Sequence, residues 1–240
     1  MLYLIGLGLD LKDISLKAVE ALTKCSKVYL EIYTTALPYK KAALEKLIGK
    51  KVTIAVRETV ENNSKEFVKE AKKKNVALLV YGDPLAATTH ISLLQEAKKL
   101  KVPVKVLHNS SVFSAISETG LQLYKFGKTT SIPKWQKDYK PTSFFRTIEE
   151  NLSIGAHSLV LVDIGLNIEE ALHELNEASQ GKISNIIVCS RLGTDEQYIV
   201  YSTLKELLKN KKIQLQVKEP FCFIIPAPLH FTEAEFLELF

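Results

Sequence analysis

The chain has 240 residues, 46% of them hydrophobic, enough for one large domain or two small ones with a real core. Lys plus Arg (32) exceed Asp plus Glu (27) only mildly, and the lysines are spread in pairs such as Lys98-Lys99 and Lys211-Lys212, which excludes the concentrated basic stripe of a nucleic-acid binder. Three well-separated cysteines, Cys25, Cys189 and Cys222, exclude a disulfide framework, and no run approaches the ~18 apolar residues of a membrane span.

The N-terminal "MLYLIGLGLD" is apolar but has no basic region before it and no cleavage site after it, so the expectation is a soluble, cytoplasmic chain with reduced core thiols. Strand-like and helix-like segments then alternate: "LYLIG", "DISLKAVEALTKC", "KVYLEIY", "PYKKAALEKLIG", "KVTIAVR", a Lys-rich helix from about Ser64, "VALLVY", "HISLLQEAKKL" and "VPVKVLH". Continuous apolar runs in this rhythm predict buried parallel strands with helices on both faces. From "NSSVFSAISETGLQLYKFGKTTSIP" the rhythm loosens. A helix with its own cap signal, "PTSFFRTIEENL", then leads through "HSLVLVDI", "EEALHELNEAS", "ISNIIVCSRLG", "EQYIVYSTLKELLK" and "PFCFIIP", which predicts a second, mixed α/β unit. The expected domains are 1–110 and 111–240.

The motifs fall where strands end. "LIGLGLD" puts Gly6 and Gly8 beyond the first strand, but the third glycine of G-x-G-x-x-G would be Leu11, so the dinucleotide fingerprint is incomplete and a plain strand-to-helix turn stays open. Glu31 stands where Rossmann folds hold a ribose. In "YGDPLAATTH" Gly82 permits close backbone approach, Pro84 keeps Asp83 extended, and the threonines can cap the next helix. "LHNSSVFSAISETG" places two serines at a helix mouth, as caps or as ligands. "LVLVDIG" and "CSRLGTDEQ" repeat the strand-then-loop pattern. His90, His108, His157, His173 and His230 show no metal-ligand spacing with one another or with the cysteines, and neither G-x-S-x-G nor a Walker loop is present. His230 lies between a proline-bounded turn and a closing amphipathic helix.

Together, "YLIGLGLD", "GDPLAATTH", "NSSVFSAISETGLQLYKFGKTTSIP", "PTSF" and "PLHFTEAEFLELF" resemble the diphthine synthases, of the tetrapyrrole methylase-like class of S-adenosylmethionine-dependent methyltransferases. The GDP corner is shared by the wider class, whereas "TGLQLYKFGK" and "PLHFTEAE" mark the family. The resemblance implies a two-domain fold, a mostly parallel N-terminal sheet and a mixed C-terminal one, with S-adenosylmethionine in the cleft between them and a homodimeric assembly. It implies cofactor contacts at Leu9, Asp83, Ala86, Ser111, Val112, Val162, Leu192 and His230. The segment between "LVDI" and "ISNIIVCSRLG" is shorter than the family pattern.

The implied substrate is translation elongation factor 2, methylated in succession on the amino group of the 3-amino-3-carboxypropyl chain of one histidine to give diphthine. Transfer from a sulfonium releases a neutral sulfide, and the amine must be neutral when it attacks, although the sequence singles out no base. Tyr124, Phe126, Trp135 and Tyr139 are candidates to hold the quaternary product, or are core and surface contacts. A tetrapyrrole methyltransferase and a non-catalytic adaptor of the translation machinery remain the alternatives. No membrane or nucleic-acid partner is expected.

Overall fold

In the computed structural model, which describes residues 1–240, the apolar runs of the first half become five strands: β1 (Leu2–Gly6), β2 (Lys27–Glu31), β3 (Thr53–Ala55), β4 (Val76–Val80) and β5 (Val104–Leu107). All pair in parallel in the order β3-β2-β4-β1-β5, with Leu2 opposite both Val76 and Val104. Four helices connect them: α1 (Leu16–Thr23), α2 (Lys41–Ile48), α3 (Ser64–Lys73) and α4 (Ile91–Lys99).

Alternation along each strand explains why these runs are apolar throughout. Leu2, Leu4, Val76, Leu78 and Val80 point to one core with Phe67, Val68 and Ala71 of α3 and Leu93 and Ala97 of α4. Tyr3, Ile5, Ala77 and Leu79 point to the other, against Ala18, Ala21 and Leu22 of α1 and Leu44 of α2. A strand buried on both faces has no polar side to show. The lysines of α3 lie on its solvent side, opposite its buried Phe67, Val68 and Ala71.

The chain divides into two units, Met1–Ser114 and Ala115–Phe240, with the division inside the one-turn helix α5 (Val112–Ala115). In the second unit, β6 (Thr130–Ile132), β7 (Ser158–Val162), β8 (Asn185–Ser190), β9 (Tyr198–Thr203) and β10 (Phe221–Ile225) form a sheet of order β6-β7-β10-β8-β9. Only β6 and β7 are parallel; the other pairs are antiparallel, so this sheet is mixed. Helices α6 (Ser143–Ser153), α7 (Ile168–Ser179) and α8 (Leu204–Lys209) bury Phe144, Phe145, Ile148, Leu172, Leu175 and Leu207 in one core with Val160, Val188 and Phe223. Two shorter helices follow, α9 (Lys211–Gln216) and α10 (Phe231–Leu237).

Two expected caps are not formed. Thr88 and Thr89 do not cap α4: the Thr88 hydroxyl donates to the Pro84 carbonyl at 2.7 Å and Thr89 to Glu61, and His90, at the N-cap, makes no side-chain capping bond. Thr142, at the start of α6, makes no capping bond either. The working caps are Ser15, Asn167, Thr203, Asn210 and His230, each accepting from a backbone N–H of the first turn.

Candidate cofactor site

The first sheet gathers three loops at its carboxyl edge, because β1 lies between β4 and β5 and all three strands run the same way. This is the edge at which open α/β sheets take ligands. The loops are stitched together through backbone. Gly8 N–H donates to the Gly82 carbonyl at 3.1 Å and Gly82 N–H returns the bond at 2.9 Å, while Leu7 N–H bonds the Val80 carbonyl at 2.8 Å. Both glycines have positive φ, +75° and +72°. A Cβ on Gly6 would stand 2.6 Å from the Gly82 carbonyl oxygen, so close packing of the two strand ends requires glycine there.

Asp13 fastens the first loop: one carboxylate oxygen accepts from Leu9 N–H and Asp10 N–H, both at 2.9 Å. Its role is one that sequence motifs did not single out. The available signal was an acidic side chain a few residues beyond a glycine turn, near enough in sequence to reach back to the amides three and four residues before it. The Tyr81 hydroxyl adds a bond to the Leu9 carbonyl at 2.9 Å.

The Asp83 carboxylate is aimed, and the structure gives it three donors. Oδ1 accepts from Leu85 N–H at 2.9 Å; Oδ2 accepts from Asn109 N–H at 3.1 Å and from His108 Nδ1 at 2.8 Å. Asn109 in turn donates from its side chain to the Gly6 and Asp13 carbonyls. The loop after β5 is thereby tied to both other loops. Ser111, at the start of α5, is buried and its N–H is bonded to the Ser114 hydroxyl. Beneath the Asp83 loop, His90 is buried between the Pro84 carbonyl, 3.0 Å from Nδ1, and the Tyr33 hydroxyl, 3.2 Å from Nε2.

Of the expected contact residues, Leu9, Asp83, Ala86, Ser111 and Val112 lie on or directly after these three loops: Leu9 is buried, and Asp83, Ala86 and Val112 are half-buried. Such a site offers backbone carbonyls and an acceptor-only carboxylate, a donor set suited to a cationic sulfonium and an ammonium, so these residues fit S-adenosylmethionine. In the second unit, Val162 is the half-buried last residue of β7 and Leu192 is buried just beyond β8. His230 is the exposed N-cap of α10 and forms a reciprocal capping box with Glu233.

Glu233 itself is fully buried and collects Gln122 N–H at 2.9 Å, His230 N–H at 2.8 Å, Lys125 Nζ at 2.5 Å and His157 Nε2 at 3.1 Å. Burial alone would raise its pKa, but the Lys125 ammonium and the two backbone donors hold it down to about 2. His157 takes Ala227 N–H on Nδ1 at 2.9 Å, and burial lowers its pKa, so it is a neutral imidazole with the proton on Nε2. This network fixes the turn that carries His230.

Other residues that the sequence suggested are engaged elsewhere: Glu31 is buried and its carboxylate closes its own turn, accepting from Thr34 N–H at 2.7 Å. Trp135 donates to the Pro141 carbonyl and lies 5.1 Å under Lys140 Nζ, and Phe126 packs edge-on against His157. Tyr124, by contrast, is 84% exposed. A shallow groove lined by Lys205, Glu206, Lys209, Lys211 and Lys212 lies along α8 and α9 and includes none of the expected contact residues. No group of three or more His, Cys, Asp or Glu side chains is placed to hold a metal ion, and no helix is long and apolar enough to cross a membrane.

A parallel sheet with glycine corners at its carboxyl edge, followed by a mixed sheet, is the architecture of the tetrapyrrole (corrin/porphyrin) methylases, a family that the chain matches over residues 1–208. It is 39% identical to the diphthine methyl ester synthase of Schizosaccharomyces pombe over 271 aligned positions, covering 100% of this chain and 94% of that one, and 37% identical to that of Homo sapiens, covering 95% of it. A crystal structure of a diphthine synthase superposes with a TM-score of 0.91 at 33% identity, across 100% of this chain and 95% of that one. The chain belongs to the diphthine methyl ester synthase family. It is therefore a methyltransferase of diphthamide biosynthesis, and that membership implies S-adenosylmethionine as the methyl donor. The alignments are longer than the chain itself, so these relatives carry segments that it lacks.

Proposed function

We propose that this chain methylates, in succession, the amino group of the 3-amino-3-carboxypropyl-histidine of translation elongation factor 2, and then esterifies the carboxylate of the same side chain. The reading is carried by similarity over the whole chain to proteins named diphthine methyl ester synthase. Their name adds a carboxylate oxygen to the amine as a methyl acceptor, which extends the amine-only expectation of the sequence.

S-adenosylmethionine supplies a methyl group made electrophilic by the sulfonium that carries it. The chain's own contribution is orientation and environment. Leu9, Asp83, Ala86, Ser111, Val112, Val162, Leu192 and His230 are the proposed cofactor contacts. Holding donor carbon and acceptor atom in line is an effect that reaches about 7–11 kcal/mol in favourable cases. The acceptor-only Asp83 carboxylate favours the cationic cofactor over its neutral product, which helps the product leave. The enzyme works as a homodimer in the cytoplasm, where its protein substrate is.

Mass spectrometry tests this directly. Elongation factor 2 carrying the unmethylated side chain is incubated with the protein and S-adenosylmethionine. Successive gains of one methyl mass on that residue, the last of them labile to mild base as an ester is, are expected. Cofactor binding without any mass gain would overturn the assignment and point to tetrapyrrole acceptors, recognised by a Soret-type absorbance change on binding.

A further inference from the structure

The amine must lose a proton before each transfer, and one histidine is arranged to take it. His108 follows β5 on the loop that carries Asn109 and Ser111 at the carboxyl edge of the first sheet. Its side chain is 66% exposed, and its Nδ1 lies 2.8 Å from Oδ2 of Asp83, whose own side chain is only 12% exposed. Because that carboxylate also accepts from Leu85 and Asn109 N–H groups, it is an acceptor only. Nδ1 of His108 is then the donor, and the lone pair falls on Nε2, on the ring edge away from Asp83.

The other histidines differ. His90 and His157 are fully buried with both ring nitrogens engaged, and His230 has Nδ1 committed to its cap. His173 lies on α7, outside the loops of the first sheet. Only His108 combines a carboxylate that fixes its tautomer with an exposed second nitrogen beside the candidate cofactor loops. An imidazole oriented in this way by a carboxylate is the arrangement that enzymes use to accept a proton and stabilise the resulting imidazolium.

We propose that His108, oriented by Asp83, is the general base for the amino methylations. This rests on the amine-methylating reading above. In each round Nε2 takes one proton from the substrate ammonium. The freed nitrogen lone pair forms the new N–C bond while the S–C bond breaks, its electron pair staying on sulfur as the neutral sulfide. The exposed imidazolium returns its proton to solvent. Three rounds convert –NH3⁺ to –N(CH3)3⁺ and release three protons. Esterification of the carboxylate releases none, because that acceptor is already an anion, so His108 serves the first reaction and not the second.

The test compares the wild type with His108→Asn and His108→Ala on two substrates, the factor with the free amine and the factor already trimethylated. Asn keeps a donor near the position of Nδ1 and so preserves the bond to Asp83, but carries no base. Amino methylation near neutral pH is expected to fall by about 10²-fold or more in both variants, to recover as pH rises and the amine deprotonates in solution, and in the Ala variant to recover with added imidazole. In His108→Asn, which keeps a donor to Asp83, ester formation is expected to fall far less than amino methylation, and cofactor affinity measured alongside separates loss of the base from loss of the bond to Asp83. Amine transfer retained by His108→Asn, or equal losses on both substrates with cofactor still bound, would overturn the proposal. A wild-type protein that binds S-adenosylmethionine and adds no methyl group to the factor overturns the underlying reading, and the base with it.

Discussion

Gly8 and Gly82 exchange a reciprocal pair of backbone hydrogen bonds across the ends of β1 and β4, at 3.1 and 2.9 Å, and so hold two ligand loops as one surface. A side chain at either glycine requires positive φ, but the space around them differs. At Gly8 a Cβ would sit 2.3 Å from Cβ of Asp13, whereas at Gly82 it would meet nothing closer than 3.7 Å. Gly82→Ala is therefore expected to cost about 1–2 kcal/mol, the left-handed penalty alone. Gly8→Ala should cost more and weaken cofactor binding as well, since it displaces the residue that fastens Leu9 and Asp10. Chemical denaturation and calorimetric titration with S-adenosylmethionine check the order.

Asp83→Asn replaces one acceptor oxygen by an NH2 group. Whichever way the amide is turned, it faces at least one N–H of Leu85, Asn109 or His108 with another donor. The affinity for S-adenosylmethionine is expected to fall by at least tenfold. An affinity within twofold of wild type would remove Asp83 from the site.

The Glu233 network sets an acid limit on stability. A carboxylate held at about 2 in the folded chain contributes stability that is complete above its ordinary value near 4.5 and is lost as pH falls through the folded value. The neutral His157 acts in the same direction, because the unfolded chain takes up its proton first as pH drops below about 6.5. Thermal midpoints should be level above that range, decline gently below it and fall again below about pH 4.5. Glu233→Gln should make the second step shallower and cost on the order of 3 kcal/mol at neutral pH, by leaving Lys125 without its buried partner.

The aromatic candidates now separate. Trp135 packs against the second core, so Trp135→Leu is expected to cost about 2 kcal/mol with an unchanged ratio of methylated products. Tyr124→Leu, at a position 84% exposed, should leave stability within about 0.5 kcal/mol. If this ring holds the quaternising amine, the same variant accumulates mono- and dimethyl species, which mass spectrometry of a time course resolves.

The parallel sheet was legible because burial on both faces writes itself as an unbroken apolar run, as in Val76–Val80. Strand β6 was not: three residues, Thr130–Ile132, paired on one side only, carry no pattern long enough to read. The glycine corners announced the site, yet what the corners hold was hidden. Asp13, Asn109 and the Asp83–His108 pair join residues up to 103 positions apart, and local spacing cannot express such contacts. The threonine caps failed for a related reason: the Thr88 and Thr89 hydroxyls are turned to donate to Pro84 and Glu61, so neither accepts from the first-turn N–H groups of α4. At Glu31 the strand-end acid closes its own turn, a contact that the strand-then-acid pattern does not distinguish from a ligand position.

Strand order also dictates when the first unit can assemble. Both neighbours of β1, β4 and β5, lie more than seventy residues downstream, and β2 has only the short β3 beside it until β4 arrives. While the ribosome is extending the chain, the earliest apolar strand therefore waits with both backbone edges unpaired until Val76–Val80 emerges and wedges between it and β2. Long-range parallel pairing of this kind is slow and exposes adhesive edges meanwhile. For the nascent protein, the strand that later ends at the candidate cofactor loops is thus the one that stays longest without its partners.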